Sequence, residues 1–181
     1  MQRHLFLYFQ KIRSNFVVMN KIIFWITILM LSILSGYVHA QSGSGKDLFT
    51  GLKIKYKGLD VNEYYLMDVE TRTKIKKNTV PLGKYKFAIV VTGVKGYKKL
   101  SNGKVSPGVD MYIIDMETNK TILDAADILK GEYSANDAEV LDAYFTTGSP
   151  MESGKKYLFK ARFYDKNGKG EINAEVILTA E

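Results

Sequence analysis

The chain reads as an all-β protein, an antiparallel sandwich of two β-sheets of the immunoglobulin-like sort, with a small closed β-barrel as the alternative. Three observations predict it. From Leu52 onward apolar residues recur with a period of two. An Asn167-Gly168 pair stands between two alternating runs, where a tight hairpin needs residues that accept positive φ. No regular series of helical segments separates the strands, which argues against a parallel sheet.

The pattern is preceded by a leader. Residues 19–40 (MNKIIFWITILMLSILSGYVHA) have Lys21 as a positive start, an apolar run over 22–34, and Val38-His39-Ala40 as a small-residue cleavage site, the three parts of a secretory signal peptide. A spanning helix needs about 20 apolar residues, so cleavage after Ala40 is expected and no stable membrane anchor should remain. Residues 1–18 precede a second methionine and read as an upstream extension or a long basic start. Bacterial lipid anchoring is excluded because the chain has no cysteine. Residues 41–47 (QSGSGKD) read as a flexible tether. Their likeness to a phosphate-binding loop fails, since Asp47 stands where a metal-binding hydroxyl belongs and the first glycine is absent.

The domain is expected over 48–181. Leu52, Ile54 and Tyr56 alternate with Lys53, Lys55 and Lys57, a strand with a lysine-rich wet face. Tyr65, Met67 and Val69 continue the inward set, then Tyr85, Phe87, Ile89 and Val91 in a run apolar enough on both faces for a central strand. Tyr112, Ile114 and Met116 follow. The last two strands place Tyr157, Phe159, Ala161 and Phe163 inward, reverse over 165–170 (DKNGKG), and return with Ile172, Ala174, Val176 and Leu178. Residues 134–145 (SANDAEVLDAYF) carry a cap-like Ser134 before Asp137 and then Val140, Leu141 and Tyr144 at helical spacing, which suits one short helix or another strand. Residues 65–75 (YLMDVETRTKI) also echo residues 112–122 (YIIDMETNKTI) without gaps. A duplicated half-domain would produce such an echo, and so would shared turn chemistry.

Charge is unevenly distributed. Removing Arg3, Lys11, Arg13 and Lys21 with the leader leaves 22 of the 26 Lys and Arg against 19 Asp and Glu, so the whole-chain pI of 9.3 overstates any case for nucleic acid, which is not expected as a partner. Within the domain, residues 44–108 are strongly basic and residues 109–152 strongly acidic. Side-by-side packing of the two segments is the simplest explanation. The sharper one is a calcium site built from Asp124, Asp127, Asp137 and Asp142, although no known calcium-loop spacing is met. Residues 165–176 fail as such a loop because Lys169 and Val176 stand where oxygen ligands are required.

Most catalytic chemistry is removed by subtraction. His4, His39 and Trp25 lie in the leader, so the domain beyond residue 40 holds no His, Cys or Trp. Histidine-activated serine, cysteine nucleophiles and His/Cys zinc sites are therefore unavailable. Carboxylate-pair chemistry survives, as in glycan hydrolysis. Tyr97, Lys98, Lys99 and Tyr133 are the candidate partner-binding residues, because tyrosines in long loops beside lysines suit protein or glycan contact. Asn119-Lys120-Thr121 matches a glycosylation acceptor in a turn. The expectation is a non-catalytic binding domain without a cofactor, calcium aside. It is exported to the periplasm or outside the cell, and presents the loops over 95–108 and 124–142 to a protein or glycan. The alternatives are a carboxylate-dependent glycan hydrolase and a structural component of a cell-surface assembly.

Overall fold

The computed structural model describes residues 42–181, so the expected leader and cleavage site, with His4, Trp25 and His39, lie outside the described residues. The strands are β1 (Ser42–Lys46), β2 (Lys53–Lys57), β3 (Glu63–Asp68), β4 (Thr79–Val80), β5 (Lys86–Thr92), β6 (Pro107–Asp115), β7 (Thr121–Ala125), β8 (Val140–Thr146), β9 (Lys156–Asp165) and β10 (Glu171–Ala180). A seven-stranded sheet runs in the order β1-β2-β10-β9-β6-β7, with the short β4 parallel to the end of β10. A three-stranded sheet runs β3-β5-β8. All other pairings are antiparallel, and the two sheets pack as a sandwich without closing into a barrel.

The core lies between the sheets because the inward sets are apolar on both. Phe159, Ala161 and Phe163 of β9 lie opposite Val176, Ala174 and Ile172 of β10, all buried, as the alternation requires. Facing them, β5 contributes Phe87, Ile89 and Val91, and β8 contributes Leu141, Ala143 and Phe145. The chain reverses between β9 and β10 over the expected hairpin, and β5 is the central strand of the small sheet.

Two strands are read one residue out of phase by the sequence pattern. On β3 the buried residue is Leu66, while Tyr65 and Met67 face outward. On β6 the inward set is Val109, Met111 and Ile113, which lie opposite Phe163, Ala161 and Phe159; Tyr112 and Ile114 are on the outer face. Both strands are apolar on both faces, so their own alternation does not fix the phase. Pairing does: β9, where charged residues alternate with the core set, selects the phase of β6, and β3 takes its phase from its register with β5.

The stretch expected to be a tether is instead the edge strand β1. Its glycines are what make it a strand: a Cβ at Gly43 would overlap the Tyr56 ring and one at Gly45 would overlap the Tyr64 hydroxyl. The two tyrosines lie across the bare backbone and supply the cover that glycine lacks. Residues 134–145 resolve into one 3-10 turn, Asp137–Glu139, followed by β8. Ser134 lies ahead of the turn, whose cap position is Asn136, and bonds its first residue, donating to the Asp137 carboxylate at 2.7 Å and accepting from the Asp137 amide at 3.1 Å.

The internal echo is matched by turn geometry. Asp68 and Asp115, aligned in the echo, each accept backbone amides of the turn that follows, and the aligned Arg72 and Asn119 both have positive φ, 56° and 58°. The shared residues are those this turn requires. The segments lie in different sheets, β3 at an edge and β6 inside.

Candidate ligand-binding groove

The outer face of the large sheet carries a groove of about 520 Å3 that crosses β2, β10, β9 and β6. Alternation dictates its walls: Lys53 and Lys55 from β2, Asn173 and Glu175 from β10, Lys160 and Arg162 from β9, Tyr112 and Ile114 from β6. The floor is the backbone of the central strands at Ala161 and Ala174, whose methyl groups turn into the core beneath it.

A charge ladder holds one end of the groove open. Lys57 pairs with Glu171 at 3.0 Å, and Arg162 donates to Glu171 through Nε at 3.1 Å and Nη2 at 3.0 Å. The same guanidinium reaches the nearly buried Asp110 through Nη1 at 3.3 Å, and Asp110 accepts the Asp127 amide at 2.8 Å. Asp127 in turn pairs with Lys130 at 2.8 Å and with Lys166. The ladder thus crosses four strands and draws the Arg162 side chain toward Glu171 and Asp110, off the floor at Asn173. The ring of Tyr164 lies against the guanidinium, 4.7 Å from its centroid, and over Gly108, where a Cβ would collide with the ring.

Electrostatics follow from these contacts. The hydrogen bond from Lys57 lowers the Glu171 carboxyl below the usual range, burial opposes it, and Arg162 adds to the lowering. Asp127 is held down at about 2 by hydrogen bonds from Lys130 and then Lys166. Lys53 and Lys55, in contrast, have no carboxylate within ion-pair distance among the described residues, and Lys160 meets Glu175 only at 3.8 Å. The groove therefore combines unneutralised cations with one tyrosine face and one isoleucine.

The residues singled out from the sequence lie elsewhere. The Tyr97 ring packs against the core, its hydroxyl is buried without a hydrogen-bond partner among the described residues, and its phenol is pushed up by burial first and by the Asp165 charge second. Tyr133 donates from its hydroxyl to the Lys130 carbonyl at 2.8 Å, and its backbone bridges Val105. Lys98 and Lys99 are exposed. The two long loops thus secure one another: besides the Val105–Tyr133 bridge, Asn102 bonds Glu132 at 2.7 Å, and Lys95 meets Glu139 at 3.7 Å. That last contact is the one ion pair among the described residues that joins the basic and acidic segments, so their attraction accounts for little of the packing.

The four aspartates proposed for calcium are not brought together. Asp124 is on the outer face of β7 opposite Tyr112, Asp127 is held by its lysines, Asp137 is bonded to Ser134, and Asp142, on β8 of the other sheet, accepts the Tyr144 hydroxyl at 2.6 Å. Among the described residues no three His, Cys, Asp or Glu side chains are grouped for a metal.

Reading the sequence assigns Lys53 and Lys55 to a wet face, correctly, but misses the groove because Tyr112 and Ile114 are placed inside. A signal was available in Lys160 and Arg162, which alternate with the core residues of β9 and so must share the face of Lys53 and Lys55. No protein-family model matches the chain, and no curated protein matches it by sequence.

Proposed function

We propose that the chain is an exported, non-catalytic binding domain, periplasmic or released outside the cell, that holds an extended anionic ligand, an acidic glycan strand, across the outer face of its large sheet. The observation that carries this reading is the groove, where Lys53 and Lys55 have no ion-pair partner among the described residues and β6 offers the Tyr112 ring, opposite Lys160, and Ile114. An aromatic face with a polar tip suits a sugar ring, and unpaired lysines suit its carboxylates. Glycan hydrolysis is supported less well. Among the described residues Glu175 is the one carboxylate on the groove wall, and the nearby Asp110 and Glu171 are both bonded to Arg162. A hydrolytic pair needs one acid kept protonated, whereas Glu171 is held in the opposite direction.

Titration calorimetry with polygalacturonate tests the proposal. Binding should weaken with salt, and Lys53→Ala with Lys55→Ala, or Tyr112→Ala alone, should each reduce affinity about tenfold, roughly 1.4 kcal/mol, with unchanged thermal melting. Equal affinity for neutral glycans, or indifference to the lysine substitutions, would remove the reading. Displacement of the glycan by polyglutamate would assign the groove to a protein partner.

A second reading, a component of a surface assembly, is favoured by the free edge of β8. The other edges are protected: residues 73–75 cover β3, β7 is short and bulged, and β1 is short and glycine-rich. The seven residues of β8 (VLDAYFT) contain no Lys or Pro, expose Val140 and Tyr144, and pair on one side only among the described residues. Such an edge accepts an added strand. Light scattering should show association that rises with concentration and is abolished by Val140→Lys; a monomer at all concentrations sinks this reading.

A further inference from the structure

The turn between β1 and β2 presents two bulky apolar side chains to water on a rigid support. Leu48 is 88% and Phe49 67% exposed, the two most exposed large hydrophobic residues among those described. The turn beneath them is tightly bonded. The Asp47 carboxylate accepts the Thr50 amide at 2.8 Å and the Thr50 hydroxyl, that hydroxyl accepts the Leu52 amide at 3.2 Å, and the Asp47 backbone bonds Leu52 at 2.8 Å and Gly51 at 3.0 Å. Thr50 is buried under the tip and Gly51 takes φ 78° to close it. Leu48 and Phe49 are therefore held outward and cannot fold back to hide, the arrangement expected of a preorganised contact.

The residues just below the tip supply a second, independent observation. Lys46 and Lys53 lie directly opposite each other across β1 and β2, on the same outer face. Like charges directly opposed across a strand pair destabilise it. Among the described residues no carboxylate lies within ion-pair distance of either, nor of the neighbouring Lys156, and these three border a shallow hollow of about 300 Å3 with the half-exposed Ile177 and with Glu175, which lies opposite Lys53 on β10 and meets Lys160 at 3.8 Å. An opposed lysine pair that no carboxylate contacts as an ion pair among the described residues, set beneath an apolar tip, calls for a partner that is anionic at one depth and apolar just beyond. A bilayer of anionic lipids has this order, with phosphates at its surface and acyl chains several ångströms deeper.

We propose that the β1–β2 tip docks on an anionic membrane surface, with Leu48 and Phe49 entering the acyl boundary and Lys46, Lys53 and Lys156 meeting the phosphates. The contact is peripheral and reversible. Two apolar side chains and three cations are too few for permanent anchoring, and the tip lies at the end of β2 remote from the 165–170 hairpin.

The absence of cysteine allows a test on the full chain, in which the tip substitutions separate docking of the tip from insertion of the apolar leader, which every variant shares. An environment-sensitive fluorophore on Leu48→Cys reports the tip alone, and the same label on Asn167→Cys reports the far hairpin. With vesicles of phosphatidylglycerol and phosphatidylcholine, the label at 48 should shift to the blue and be quenched by brominated acyl chains, while the label at 167 stays in water. Combining the tip label with Lys46→Glu and Lys53→Glu should weaken partition about tenfold or more. Phe49→Ser should reduce the shift without altering thermal melting, since that side chain is exposed. A label at 48 that remains in water, an equal shift at 167, or an unchanged partition after charge reversal overturns the proposal. A shift produced by cell-envelope protein but not by vesicles also overturns it, assigning the tip to a protein.

Discussion

Phe159→Ala should destabilise the domain by about 3–5 kcal/mol, a third or more of the stability ordinary for a chain of this size. Phe159 is fully buried on β9 and joins the sheets: its ring meets Phe87 edge-on at 5.0 Å and Phe145 at 5.4 Å, both on the small sheet, where these two stack at 5.5 Å. The small sheet has three strands and an apolar inner face, which must be covered, and the larger sheet covers it through this contact. Truncation loses both the transfer of the ring out of water and the edge-to-face attraction to two neighbours, and leaves a cavity between layers that pack closely. The thermal midpoint should fall by roughly 10–15 °C. Tyr144→Ala, an aromatic truncation on the exposed face of β8, should cost about 0.5 kcal/mol or less and is the control. Urea denaturation followed by circular dichroism decides it, and comparable midpoints for the two variants would mean that the sheets are not held by the phenylalanine cluster.

Two members of that cluster were visible in the sequence, Phe159 in a run whose alternation with charged residues has one solution and Phe87 in the inward set of an apolar strand, while Phe145 lay in the segment that suits a helix as well as a strand. The sandwich, the final hairpin and the central position of β5 were legible for the same reason. The phase of β3 and β6 was not. Tyr64-Tyr65-Leu66-Met67 and Met111-Tyr112-Ile113-Ile114 are apolar in both phases, and only pairing with a neighbour selects one. This single ambiguity hid the groove, since it moved Tyr112 from a ligand-facing wall into the core. β1 was illegible for another reason. Glycine and serine in water make a tether, and they make a strand here because Tyr56 and Tyr64, distant in sequence, lie over Gly43 and Gly45. Composition described the loops as exposed and free, whereas buried polar contacts fasten them, and these depend on residues remote in the chain.

Asp165→Ala should have the second-largest effect, because this nearly buried carboxylate fastens one of those loops. One oxygen accepts the Lys98 amide at 2.6 Å and the other accepts the Asn167 amide at 3.0 Å. It therefore ties the long connection before β6 to the β9–β10 hairpin. Alanine leaves two amides without partners, at a cost of about 2–4 kcal/mol, and Asn, which keeps one acceptor, should cost about half of that. Hydrogen exchange at Lys98 should accelerate in both variants, more in alanine. Tyr97 adds a readout that simple loosening does not predict. Its phenol is raised by burial and then by the Asp165 charge, so the linked stability is whole below about pH 10, the unfolded value, and is lost as pH rises through the folded one. Removing the charge in Asp165→Asn should bring the Tyr97 ionisation, followed by ultraviolet absorbance, to lower pH. Tyr85, pushed up to about 12 by burial and then by Asp68, should titrate unchanged. If Lys98 exchanges at its original rate and the late tyrosine ionisations do not separate, the loop is held by its apolar contacts with Val94 and Val105 and not by Asp165.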